Sequence, residues 1–353
     1  MTAGRGEASA TVGPLDYLRV DRYLASVIGA RALKTAFEIG LIDHLVRRSS
    51  SPPLLLCQAT GADERGLGFL LALLQAGGVV QSLHGDVSLQ AEFRSALRYR
   101  DLLETKLDFA GLLLDDFADH FTTLVCDPQR FVSQARLFEL FDYRRALNPS
   151  LENYQRTGAW MRLTSTLTRY EARALTSLIE LGSARRMLDI GGNSGEFALQ
   201  LCRRHAALQA TIFDLPLVCE IGLAHLLPEP EAARIGFRSG DLRSDPLPEG
   251  HDLVSFKSML HDWPQEDADR FLAAAVQALE PGGRLMIFER GPIDAVAKSP
   301  TFADLPLLLF FRSYRDPAVY QQTLGRLGLV DIECRAIDLD TPFFLVTGRK
   351  AVR

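Results

Sequence analysis

Residues 187–201 read MLDIGGNSGEFALQL. An apolar run closes at Asp189, a turn holds Gly191, Gly192 and Gly195, and an amphipathic stretch follows. The pattern predicts a strand, a tight turn and a helix. Glycines in such a turn let the chain reverse sharply and let backbone N–H groups approach a ligand closely. In open parallel sheets, ligands bind beyond the carboxyl ends of the strands, beside this first turn. The stretch therefore predicts an α/β fold and the place where its ligand sits.

Working outward, apolar and partly β-branched runs recur at 186–190, 210–213, 236–238, 252–256, 284–288, 331–334 and 343–346, with helical stretches at 194–205, 216–226 and 265–279. This alternation predicts a doubly wound, mostly parallel sheet. The last two runs are joined by RAIDLDTP and predict an antiparallel pair. The second run ends in FDLP, which puts Asp214 and Leu215 at the next strand tip. An acid there accepts ribose hydroxyls, in NAD and in S-adenosylmethionine alike. A dinucleotide fingerprint needs glycine where this chain has Asn193. Further on, SGDLRSDPLP (239–248) puts Gly240, Asp241 and Leu242 at a third tip, an acid for an adenine amino group and an apolar cover for its ring. FKSMLHDW (256–263) brings Lys257, His261 and Asp262 to a fourth. Read alone, HDWP is a helix start, with Asp262 as N-cap and Pro264 in the first turn.

Before residue 185 the pattern is helical: 15–45, then 63–80, then a hairpin over 79–90 with Gly85–Asp86 at its turn. Helix, helix, hairpin is the outline of a winged helix. The expected domains are a tail over 1–14, a winged-helix-like domain over 15–100, a helical connector over 101–184 and a ligand-binding sheet over 185–353. A chain of 353 residues exceeds what one core usually fills.

A formal charge of −5 offers no basic surface for nucleic acid, and 61–78, where a recognition helix would fall, holds one basic residue, Arg65. No apolar run is long enough to span a bilayer. Cys57, Cys126, Cys202, Cys219 and Cys334 are scattered, which points to unpaired thiols in a cytoplasmic setting. The histidines show no metal-ligand spacing, so no metal is expected.

Together these residues resemble the class I S-adenosylmethionine-dependent methyltransferases, and more narrowly the small-molecule O-methyltransferases of plant caffeic-acid and bacterial antibiotic pathways. The resemblance spans nearly the whole chain. It implies a Rossmann-like seven-stranded sheet of order 3-2-1-4-5-7-6, an N-terminal winged-helix-like dimerisation domain, and a homodimer. It implies S-adenosylmethionine as cofactor, S-adenosylhomocysteine as product, and a small hydroxylated acceptor. Residue by residue, the family's glycine loop falls on Asp189–Gly195 with Asn193 in place of a glycine. Its ribose acid falls on Asp214, its adenine pair on Asp241 and Leu242, a cofactor-side lysine on Lys257, the catalytic histidine on His261 and a steering glutamate on Glu289. A second family glutamate is replaced by Tyr314. The acceptor pocket falls on 153–167 and 302–314, with Trp160, Met161, Phe310 and Phe311 as candidates to face an aromatic ring. Some relatives of this fold perform hydroxylation, decarboxylation or cyclisation instead, and a winged-helix regulator is the remote alternative.

Overall fold

The computed structural model describes residues 16–24, 26–293, 302–304, 309–310 and 313–352. They fall into two compact units, and the chain crosses from one to the other at Leu137–Phe138.

The first unit holds α1 (Val27–Glu38), α2 (Leu41–Arg48), β1 (Ser50–Ser51), α3 (Pro53–Thr60), α4 (Glu64–Ala76), β2 (Val80–Leu83), β3 (Asp86–Leu89), α5 (Ala91–Ala96), α6 (Arg100–Cys126) and α7 (Pro128–Gln134). The turn Phe302–Asp304 belongs with it. The Asp63 carboxylate caps α4 by accepting from the Arg65 and Gly66 N–H groups. The strands form a small antiparallel sheet of order β1-β3-β2. The hairpin turn is His84–Gly85, both with positive φ, one residue earlier than expected. A two-residue turn with φ > 0 at both positions matches the right-handed twist of its strands, and Asp86 is thereby free to open β3.

The second unit begins with short 3-10 turns and the long α8 (Leu151–Thr176), followed by β4 (Arg186–Ile190), α9 (Glu196–Arg204), β5 (Gln209–Asp214), α10 (Pro216–Leu226), β6 (Ile235–Ser239), β7 (His251–Lys257), α11 (Gln265–Ala278), β8 (Leu279–Arg290), α12 (Pro317–Arg326), β9 (Leu329–Asp338) and β10 (Pro342–Lys350). The sheet order is β6-β5-β4-β7-β8-β10-β9. The first five strands in that order run parallel, while β10 lies antiparallel to both β8 and β9.

The core on one face is made by Leu188, Val254, Phe256, Phe271, Leu272 and Ile287, all at most 1% exposed. β4 and β7 are buried along nearly their whole length, as strands covered on each side must be. Register brings the strand tips level. Ile190 pairs with Phe213 on one side and Phe256 on the other, and Lys257 pairs with Phe288. The carboxyl ends of β4, β5, β7 and β8 therefore form one edge, and the residues just beyond them build the site.

Among the described residues no helix is long and apolar enough to cross a membrane.

Candidate active site at the strand tips

Beyond β4 the chain passes through Gly191, Asn193 and Gly195, with φ of 65°, 56° and 77°. Asparagine is one of the few residues besides glycine that tolerates this left-handed region. Local bonds hold it there. Its Oδ1 accepts from the Ser194 N–H at 2.7 Å and the Thr164 hydroxyl at 3.4 Å, and its own N–H donates to Asp214 Oδ2 at 2.8 Å. At Gly192 a Cβ would lie 2.6 Å from Asp189 Oδ2, so the loop packs directly on that carboxylate.

Asp189 is fully buried. Its Oδ1 accepts from the Ser255 hydroxyl at 2.6 Å, while its Oδ2 has no partner among the described residues. Burial pushes its pKa up to about 7. Asp214 accepts from the Leu215 and Asn193 N–H groups, at 2.7 and 2.8 Å, yet burial still pushes it up to about 6. An unpartnered buried carboxylate oxygen is costly unless a ligand supplies a donor. S-adenosylmethionine carries hydroxyl and ammonium donors and a positive sulfonium, so this acid-rich turn suits it.

The other expected cofactor contacts have these partners within the protein. Asp241 pairs with Arg243, at 2.7 Å to Nη2 and 2.8 Å to Nε, which holds its carboxyl below the usual range. Leu242 packs, partly buried, against the sheet core. Gly240 is required by the Phe213 ring, 2.5 Å from where its Cβ would be. Leu215 stands at the N-cap of α10. Lys257 turns toward α8, where its ammonium donates to Thr168 Oγ1 at 2.9 Å and pairs with Glu171.

After β7, Ser258 takes a φ of 48° and turns the chain into a single 3-10 turn, Leu260–Asp262, that carries His261. The imidazole is 9% exposed, and its Nδ1 lies 2.7 Å from Glu289 Oε2. Glu289 is 1% exposed at the end of β8, and its other oxygen accepts from the Met259 and Leu260 N–H groups at 2.8 and 2.7 Å. One carboxylate thus shapes the loop and orients the ring. Because a carboxylate only accepts, the proton sits on Nδ1 and the lone pair on Nε2.

Asp262 does not cap α11. The cap position is Pro264, without a side-chain bond. The Asp262 carboxylate turns elsewhere: Oδ2 accepts from the Tyr143 hydroxyl at 2.7 Å, and Oδ1 lies 3.3 Å from His261 Nε2. Burial lowers the His261 pKa, but the Glu289 and Asp262 carboxylates outweigh it and hold the group above the ordinary histidine value. Burial raises Glu289, and the imidazole beside it more than reverses this, leaving it below the usual range.

Tyr314 lies edge-on to the imidazole, ring centroids 5.1 Å apart, and Phe310 does so at 6.4 Å. The ring edge of Tyr314 thus stands beside the imidazole, at the position where relatives carry a second glutamate. Trp160 meets Tyr143 at 5.4 Å, and Tyr143 stacks on Trp263 at 6.1 Å. Met161 is 2% exposed and packs in a cluster with Ala146, Leu217 and Val218. Phe311 lies outside the described residues.

Three contributors were not read from the sequence. Tyr143 and Glu171 reach the site from 119 and 86 residues before their partners Asp262 and Lys257, and no motif marks them. Arg315 donates to the Leu260 carbonyl at 2.7 Å and also to that of Trp263, fastening both ends of the histidine turn.

A mostly parallel sheet whose tips gather a glycine turn, the buried Asp189, the half-buried Asp214 and a histidine–glutamate pair fits a cofactor-binding transferase class. The chain belongs to the O-methyltransferase domain family, which uses S-adenosylmethionine and whose pattern matches residues 146–324, over half of its length. A 3-hydroxy-5-methyl-1-naphthoate 3-O-methyltransferase of Streptomyces sahachiroi is 37% identical over 142 residues, 38% of this chain and 40% of that relative. A mitomycin biosynthesis 6-O-methyltransferase of Streptomyces lavendulae is 27% identical over 347 residues, 93% of this chain and 91% of that relative. Three of the curated relatives, the naphthoate enzyme included, are matched over 40% of their own length or less. Among solved structures, human N-acetylserotonin methyltransferase in complex with SAM has a TM-score of 0.71 at 20% identity, over 92% of this chain and 94% of that one. The mitomycin 7-O-methyltransferase MmcR has 0.70 at 24%, over 91% and 94%.

Proposed function

We propose that this chain transfers a methyl group from S-adenosylmethionine to a hydroxyl oxygen of a small aromatic molecule, with His261 as general base. The observation that carries this reading is the buried His261–Glu289 pair beside the glycine turn and the unpartnered Asp189 oxygen. S-adenosylmethionine, when bound, supplies an electrophilic methyl on a sulfonium. Asp189, the 191–195 turn and Asp214 are the residues that hold it. With Nδ1–H donated to Glu289, His261 Nε2 is the atom that takes the acceptor's hydroxyl proton, and Glu289 then stabilises the imidazolium. Asp262, adjacent to Nε2, also favours that charge. Trp160 and Phe310 are the aromatic surfaces proposed to meet the acceptor ring. The first unit is proposed to be a winged-helix-like dimerisation domain. Its exposed Ile28, Leu54 and Phe69 are the apolar surface a second copy would cover. The cell compartment proposed is the cytoplasm.

The test pairs calorimetry with turnover. His261→Asn should bind S-adenosylmethionine as the parent does, yet lose about 10²–10⁴-fold in methyl transfer to hydroxylated aromatics, the usual worth of a positioned base. Undiminished turnover would remove His261 from the mechanism.

A further inference from the structure

One face of α8 reads Ser165, Thr168, Glu171, spaced three residues apart so that all three point the same way. Ser165 donates to the Met161 carbonyl at 2.5 Å and accepts from the Ser194 hydroxyl in the glycine turn at 2.6 Å. Thr168 accepts from Lys257. Glu171, 2% exposed, takes both the Lys257 ammonium and the Arg290 guanidinium. Lys257 is the last residue of β7, and Arg290 is the last of β8. The first lies a few residues before His261, and the second directly follows Glu289. A single buried carboxylate thus ties together the two strand tips that carry the proposed base and its orienting acid.

The charges are uneven. Lys257 and Arg290 bring two positive groups under the histidine turn, and Glu171 is the anion that holds both. Arg290 also donates to Ser258 Oγ at 3.3 Å, at the bend that launches the turn. The charged groups facing His261 are Glu289 and Arg290 from β8 and Asp262 from its own turn, and the Tyr314 ring, from the segment leading into α12, stands against it. Around these, Tyr143 donates to Asp262, Arg315 holds the Leu260 carbonyl, Tyr320 of α12 stands near Glu289 and Asp262, and Asp340 stands near Arg290 and Tyr314. The arginine acts against protonation of the imidazole, while Glu289 and Asp262 act for it.

We propose that Glu171 is a positioning residue for methyl transfer: by holding Lys257 and Arg290 against α8 it sets the spacing of His261 and Glu289 and neutralises the cations beneath them. The proposal rests on His261 being the base, but its first readout does not need activity.

That readout is the His261 imidazole titration, followed by NMR on the full chain labelled with ¹⁵N-histidine, with the His261→Asn variant identifying the signal. Glu171→Gln leaves two cations unbalanced and should move the midpoint to lower pH. Lys257→Met removes one cation and should move it to higher pH. Glu171→Gln/Lys257→Met restores the net charge and should return the midpoint toward that of the parent, and this pairing keeps the test open even if the single glutamine variant does not fold. In methyl transfer, Glu171→Gln should lower kcat about tenfold or more with little change in KM, the cost of a displaced base. The acid limb of its pH profile should move with the NMR midpoint. If the midpoint and the limb stay in place in Lys257→Met and in whichever Glu171 variants fold, Glu171 is only a structural strut and the proposal fails. If the midpoints shift as stated but no methyl transfer is found, the charge-balancing of His261 by Glu171 stands, while its role in methyl transfer falls with the proposed reaction.

Discussion

Replacing Glu289 with glutamine tests the orientation of the base most sharply. The amide must choose how to face three donors: the Met259 and Leu260 N–H groups at 2.8 and 2.7 Å and His261 Nδ1 at 2.7 Å. Turning its NH₂ toward the backbone would set a donor against two donors, at about 1–3 kcal/mol for each buried group left unpaired. Its oxygen therefore stays on the backbone, and its NH₂ faces Nδ1. Nδ1 must then accept, the proton moves to Nε2, and the lone pair no longer faces the acceptor. The whole base contribution is at stake, about 10²–10⁴-fold, or about 2.7–5.4 kcal/mol of barrier at 1.36 kcal/mol per decade. Loss of the carboxylate also lowers the imidazole pKa, so the ring is neutral over more of the pH range. The defect is a wrong tautomer and not a wrong charge, so raising the pH should not rescue it. The assay is kcat/KM for methyl transfer from pH 6 to 9, with calorimetric S-adenosylmethionine affinity as the control. A variant that keeps more than about a tenth of parental kcat/KM, or that recovers at high pH, would refute this account of Glu289.

Four further outcomes follow from the same geometry. His261 has a raised pKa, so the parent should lose activity as pH falls through a value above the ordinary histidine range. Asp262→Asn removes one of the raising charges and should move that limb to lower pH, measured in the same profile. Asp214 must be ionised to accept fully, and its pKa stands at about 6, so S-adenosylmethionine affinity should weaken as pH falls through that value, as read by calorimetry. Gly192→Ala places a Cβ 2.6 Å from Asp189 Oδ2 and 2.9 Å from Ile212, forcing the turn outward; cofactor affinity should drop at least tenfold, with a lower Tm.

Much of the architecture was legible in the sequence because it repeats a short-range rule. Strand-forming runs separated by helical stretches can only stack as a parallel sheet with covered faces, and the observed strands contain every expected run, extended by a few residues at their ends. The glycine turn and the acids Asp189 and Asp214 were legible for the same reason: each sits at a strand end that periodicity marks. The hairpin turn was misplaced by one residue because His84 takes a positive φ that its residue type does not announce.

By itself, then, the sequence determined the sheet, the glycine turn at its first strand tip, and the pairing of His261 with Glu289 on neighbouring tips. The tertiary structure alone decided where the charged side chains went. Lys257, read as a cofactor contact, is claimed by Glu171 on α8, and Asp241 is claimed by Arg243. Asp262, read as a helix cap, is claimed by Tyr143 and the imidazole. Met161, read as a pocket wall, lies in the core. The charged three share a physical reason. A charged side chain goes to whichever partner offsets its burial best, and for Lys257 and Asp262 the partners Glu171 and Tyr143 come from distant segments that no local pattern ties to them.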